Sequence, residues 1–145
     1  MNKVLIIDNS KSESIPLANE LKKTYGIDTE VVDTHQEGLS RFIKNKEEYA
    51  AILMEIMGMI PEDFSDDEKR ESNEGMNTGA VIKNKIRKEN IHIPIVFYTS
   101  QAFSKNMNAD ANTRYFRKPE LPEVIAKALL EVMNDQMKRE ASNIS

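Results

Sequence analysis

The chain has 145 residues, no cysteine and a formal net charge of −4. Disulfides and thiolate metal centres are therefore excluded, and an acidic chain with scattered basic residues does not suit a nucleic-acid binder. A chain of this size is expected to form one domain and to bury roughly 68–70% of its unfolded surface.

The opening residues, MNKVLII, are too short an apolar run for a signal peptide or a membrane span. With no cysteine, the expected compartment is a reducing cytoplasm. Lys3–Ile7 lacks polar alternation, which predicts a strand buried on both faces. The spacing predicts a helix over Ser14–Tyr25, with Ser12 as cap, Pro16 in the first turn, Ile15, Ala18, Leu21 and Lys22 on one face, and Gly26 as terminator. Asp28–Asp33 reads as a second strand. Gln36–Lys46 reads as a helix with Leu39, Phe42 and Ile43 in register. Ala50–Met54 reads as a third strand, since Gly58 and Pro61 follow soon after this short apolar run. Gly79–Asn90 is helical, with Val81, Ile82 and Ile86 inward; its basic cluster KNKIRK, Lys83–Lys88, reads as a solvated face. Ile93–Ser100 is a fourth strand and Arg114–Phe116 a fifth. Between them, Gln101–Thr113 is rich in Asn and small residues, which predicts a short or mobile helix. Leu121–Glu140 is a long amphipathic helix, with Val124, Ile125, Ala128, Leu129, Val132 and Met133 inward. Alternating strands and helices imply right-handed crossovers and a parallel sheet covered on both faces, an α/β doubly wound architecture.

Ligands of such sheets bind beyond the carboxyl ends of the strands. There the predicted strands release Asp8 and Asn9, then Glu55, then Thr99 and Ser100, and finally Lys118 and Pro119. Each residue alone is an ordinary turn or cap residue. Their joint placement is the signal.

The pattern resembles a bacterial response-regulator receiver domain of the chemotaxis-regulator type. The matching stretches are VLIIDNS, AAILMEI, MNTGAVIKNKIR, IPIVFYTS with Pro94 five residues before Thr99, and YFRKPELPEVIAKAL. The resemblance implies a flavodoxin-like five-stranded parallel sheet of order 2-1-3-4-5. It places Glu55 at the phosphoaccepting position. Asp8, Asn9, Glu55 and the Met57 carbonyl fall where the family holds Mg²⁺. Thr99 and Lys118 would contact the phosphoryl group, Thr99 and Tyr115 would form the switch, and the Lys118–Pro119 bond would be cis.

Two of the acidic positions depart from that pattern. Asn9 removes a charge from a cation site that favours carboxylates, so Mg²⁺ is expected to bind weakly or not at all. Glu55 carries its carboxylate one C–C bond further out, roughly 1.5 Å. A displacement near 1 Å costs in-line chemistry about 10²-fold. Poor or absent phosphorylation is therefore expected, and a longer acid is instead able to engage Lys118 directly.

Gly79 follows Glu55 by 24 residues, a longer gap than in such receivers. The intervening Gly58–Asn77 segment holds seven acidic residues against Lys69 and Arg70. It reads as a disordered or loosely helical insertion with Ser65 as a helix cap, or as a lid beside the pocket.

The leading expectation is a stand-alone signalling module, monomeric or weakly dimeric, with no catalytic residue of its own. It would act on a protein partner (a histidine kinase, a regulator or another receiver) and on neither nucleic acid nor membrane. The alternative is a genuine phospho-receiver in which Glu55 is an introduced or tolerated substitution. A small α/β enzyme is the third reading. It lacks a Gly-rich phosphate loop and a His cluster, and His35 and His92 are both expected at the amino-terminal ends of the strands. The eight methionines read as core filler. Tyr98 is expected in the core or against the helix after the fourth strand.

Overall fold

A computed structural model describes residues 3–101 and 110–144. Five strands form one parallel sheet: β1 (Lys3–Ile7), β2 (Thr29–Val32), β3 (Tyr49–Met54), β4 (Ile95–Thr99) and β5 (Thr113–Arg117), in the order β2-β1-β3-β4-β5. Among the described residues, five α-helices accompany them: α1 (Lys11–Tyr25), α2 (His35–Lys44), α3 (Asp66–Glu71), α4 (Thr78–Glu89) and α5 (Pro122–Ile144). Among the described residues, no helix is long and apolar enough to cross a membrane.

Successive strand residues point to opposite faces, and here both faces are buried. Leu5, Ile7, Ile52 and Met54 pack with Phe42, Val81, Ile82 and Ile86 on one side. Val4, Ile6, Leu53 and Val96 pack with Leu17, Leu21, Ile125 and Leu129 on the other. This is why β1 and β3 read as continuous apolar runs.

Several helix details differ from the sequence expectation. α1 begins at Lys11 with Ser10 at its N-cap, not Ser12. Asp8 causes the earlier start: its Oδ1 accepts the Ser10 N–H at 2.9 Å, turning the chain as β1 ends. Pro16 therefore lies inside the helix, not in its first turn. The buried face runs through Ser14, Leu17 and Leu21, and Ile15 is exposed. On α5, Val124 is likewise exposed and Ala126 takes an inward place. Ile43, Met59, Met76 and Met137 are exposed too, so the methionines are only partly core.

The segment after Glu55 is docked onto the domain. Ser65 accepts the Glu68 N–H, and the Glu68 carboxylate accepts the Ser65 N–H, closing a capping box at α3. Phe64 is buried in the core cluster around Ile82 and Ile86. The Lys85 ammonium lies 5.3 Å from its ring centroid and 2.8 Å from Glu68. Asn73, Glu74 and Gly75 all have positive φ, and this turn returns the chain to α4.

The basic cluster on α4 is not a solvated face. Lys83 is buried 3.5 Å from Asp110, and Arg87 binds Asp110 at 2.8 Å and the Ile93 carbonyl at 2.7 Å. These residues tie α4 to the start of β5, which a single-helix view does not reveal. Burial pushes the Asp110 carboxyl up, but hydrogen bonds from Arg87 and Thr113 and the Arg87 charge outweigh it and hold the group at about 2. The Asp110 pKa is lowered on folding, so its contribution is present above the ordinary value near 3.8 and is lost as pH falls through about 2. Because 40% of that side chain is exposed, screening limits the effect to about 1 kcal/mol. Asp110→Asn is expected to lower stability by that amount at pH 7 and by nothing measurable below pH 2, as read by urea denaturation. The helix expected over Gln101–Thr113 falls largely on residues 102–109, outside the described residues.

Candidate functional site

The strand register brings two acids side by side. Ile7 of β1 pairs with Met54 of β3, so Asp8 and Glu55 leave the sheet together. The Glu55 N–H donates to the Ile7 carbonyl at 3.0 Å, and the Asp8 N–H to the Val32 carbonyl at 3.1 Å. Both side chains are buried. They line a cavity of about 140 Å³ with Asn9, Asp33, Thr34, His35, Met57, Gly58 and Met59. Asn9 is at its exposed rim.

Lys118 reaches both acids from the far side of the sheet. Its backbone N–H donates to the Thr99 carbonyl at 2.8 Å, and the Lys118–Pro119 bond is cis. Its ammonium lies 2.9 Å from Asp8 Oδ2 and 3.5 Å from Glu55 Oε1, so Asp8 is the closer partner. Burial pulls the Lys118 pKa down. The Asp8 hydrogen bond, and the charges of Asp8, Glu55 and Glu13, more than reverse this and leave it raised. Lys118 is therefore charged throughout the neutral range. Its ammonium also lies 5.4 Å from the Tyr98 ring centroid.

Tyr98 is in the core, packed with Leu17 and Leu21 of α1 and Ile125 of α5. Its hydroxyl accepts the Glu120 N–H at 2.9 Å and lies 3.2 Å from Glu13 Oε2 and 3.1 Å from the Glu120 carbonyl, holding the turn that carries Lys118. Thr99 is fully buried, and its hydroxyl accepts the Gln101 N–H at 3.1 Å. Tyr115 is half-buried, packs against the core and stacks on Phe97 at 5.1 Å.

His35 corrects the sequence reading most directly. It is the first residue of α2, directly after the carboxyl end of β2, and so lies in the site. His92 does lie at the opposite end, near Tyr49 and Pro94. The signal for His35 was present: a residue that opens a helix after a parallel strand must lie at the strand's carboxyl end. The His35 Nε2 donates to the Glu55 carbonyl at 2.6 Å. Burial lowers the His35 pKa, opposed in part by that bond and by the charges of Glu55 and Asp8. A lowered histidine pKa means that the unfolded chain binds the proton first. Stability is therefore expected to fall as pH drops below about 6.5. Thermal melts from pH 7.5 to 5 check this, and a His35→Gln chain should lack that part of the slope.

Two glycines make the close packing possible. A Cβ on Gly58 would lie 2.2 Å from His35 Nδ1, and one on Gly79 would lie 2.6 Å from the Glu55 carbonyl oxygen. Among the described residues, no three His, Asp or Glu side chains converge as metal ligands would.

The parallel sheet of order β2-β1-β3-β4-β5 with helices on both faces defines a doubly wound, flavodoxin-like α/β domain. Solved structures agree on the fold. A two-component response regulator from Clostridium difficile superimposes with a TM-score of 0.65 at 26% identity, covering 92% of this chain and 99% of that one. A CheY-like response regulator receiver domain protein from Methanospirillum hungatei JF-1 gives 0.67 at 20% identity, covering 96% and 98%. The chemotaxis response regulator CheY4 of Vibrio cholerae gives 0.66 at 22% identity, covering 91% and 98%. No protein-family model matches the sequence, and no curated protein matches it. The fold of this chain is that of the response-regulator receiver domains.

Proposed function

We propose that this chain is a receiver-like signalling module that acts through protein contacts and does not depend on phosphorylation, because the Glu55 side chain itself engages Lys118. The observation that carries this reading is the 3.5 Å separation of Glu55 Oε1 and Lys118 Nζ inside a buried site. Tyr115, packed inward on Phe97, is consistent with it. A carboxylate carries one charge where an acyl phosphate carries about two, so Glu55 substitutes for only part of that group.

Mg²⁺ fits this donor set poorly. Asp8 already binds the Ser10 N–H and Lys118, Glu55 binds the Ile56 N–H and lies against Lys118, and Asn9 brings no charge. A cation would have to displace the ammonium, and no step of this reading passes through a metal. The partner would be a protein, such as a histidine kinase, a regulator or another receiver. The β5–α5 side, with Leu121 and Val124 exposed on or beside α5, suits such a contact.

Incubation with Mg²⁺ and acetyl phosphate is the test, read by intact mass. The expected result is no added phosphoryl group. One phosphoryl group mapped to Glu55 would overturn this reading in favour of a working phospho-receiver.

A further inference from the structure

The peptide unit joining Glu55 to Ile56 is held at both ends. Its carbonyl oxygen accepts from His35 Nε2 at 2.6 Å. Its N–H donates to the Glu55 side chain's own Oε2, also at 2.6 Å. A trans peptide is planar, with carbonyl and N–H pointing in opposite directions, so whatever fixes one fixes the other. We propose that His35 is a positioning residue for Glu55: its imidazole holds the 55–56 carbonyl and thereby aims the Ile56 N–H at the Glu55 carboxylate. This rests on the reading of Glu55 as the group that engages Lys118.

The chemistry explains why a longer acid settles here. Glu55 has an extra methylene to accommodate beside a neighbouring acid and an ammonium. Curling Oε2 back onto the Ile56 N–H takes up that length and leaves Oε1 facing Lys118. A carbonyl that accepts a hydrogen bond polarises its own amide, which makes the N–H a better donor. The surroundings are shaped for this arrangement. The His35 ring occupies the space a Gly58 Cβ would need, and Gly79 leaves the Glu55 carbonyl its room. Thr34 caps α2 by accepting the Glu37 N–H at 3.1 Å, which fixes the helix start on which His35 sits.

Two measurements on the full chain test the assignment. Nitrogen spectra of the ring at neutral pH are expected to report His35 as the Nε2–H tautomer. The Nδ1–H tautomer overturns the proposal, since Nε2 would then face the carbonyl without a proton. Hydrogen exchange at the Ile56 amide reads the hold on Glu55. In His35→Leu, Ile56 exchange is expected to rise about tenfold relative to Ile52 and Leu53. His35→Gln keeps an N–H donor and is expected to restore the slow rate. Equal acceleration in both variants marks a merely structural residue and overturns the proposal, as does an unchanged rate in His35→Leu. If the leucine variant does not fold, the tautomer and the glutamine variant decide: fast Ile56 exchange in His35→Gln then counts against the proposal. Lys118 titration in Glu55→Gln separates the underlying reading. An unchanged Lys118 there refutes the Glu55–Lys118 engagement, whereas the Ile56 rates concern His35 alone.

Discussion

Replacing Lys118 by methionine is expected to destabilise the protein by about 3–5 kcal/mol, the usual result of removing one partner from a buried ion pair. Lys118 is the cation in contact with both Asp8 and Glu55, at 2.9 and 3.5 Å, and its side chain is only 12% exposed. Methionine keeps much of the volume and the packing over Tyr98 but leaves two buried carboxylates side by side. Their desolvation is then uncompensated, and they repel each other. Adding Asp8→Asn to Lys118→Met should recover a large part of the loss, because the cost comes from stranded charge more than from lost attraction. Urea denaturation of the two single variants and the double variant gives the coupling directly. A loss below about 1 kcal/mol for Lys118→Met would put the pair in the solvent-screened class and would contradict the burial described above.

Gly79→Ala is the second large effect. Gly79 is the second residue of α4, where alanine is intrinsically better by about 1 kcal/mol. Propensity alone therefore predicts a gain. Packing predicts the reverse: the new Cβ would lie 2.6 Å from the Glu55 carbonyl oxygen and 2.8 Å from Ile56 Cα. Both are backbone atoms that cannot rotate away. The Gly79 N–H also donates to the Ile56 carbonyl at 2.7 Å, which fixes the helix start against the end of β3. Relief requires α4 or the Glu55 loop to move, and overpacking of that kind costs about 1–3 kcal/mol. The net expectation is a loss, read as a lower urea midpoint. Because the displaced backbone carries Glu55, the Lys118 titration should shift in the same variant. A stabilised Gly79→Ala with an unchanged Lys118 would mean that the contact relaxes freely.

Most of the fold was legible because both its signals are local. Strands buried on two faces appear as unbroken apolar runs, as in Lys3–Ile7, and helix faces as a regular spacing, as in Val81, Ile82 and Ile86. The errors have local causes of another kind. The Ser10 N–H bond to the Asp8 carboxylate moved the start of α1, and its inward face takes in Ser14 and Leu17 beside the expected Leu21. Nothing in the spacing around Ile15 or Val124 says that Ser14 and Ala126 are buried in their stead. The acidic segment read as disordered or loosely helical with Ser65 as cap, and the cap and a short helix are present. Phe64, the Ser65–Glu68 box and Lys85 anchor it, and Lys85 lies on a different helix.

For the site, chain order and residue type by themselves determined that Asp8, Glu55, Thr99 and Lys118 end at the carboxyl edge of one sheet, since each follows or closes a predicted parallel strand. The resemblance to receiver domains implied, further, that Glu55 stands at an acceptor position with a side chain one methylene too long. Only the tertiary structure decided what that extra length does. Glu55 curls onto the Ile56 N–H, Lys118 is shared unequally between two acids, and His35 grips the peptide from a helix 20 residues away in sequence. Those outcomes depend on contacts of 2.6 to 3.5 Å, most of them between separate elements. Such distances are set by how β1, β2, β3, α2 and α4 pack together, which no single stretch of sequence encodes.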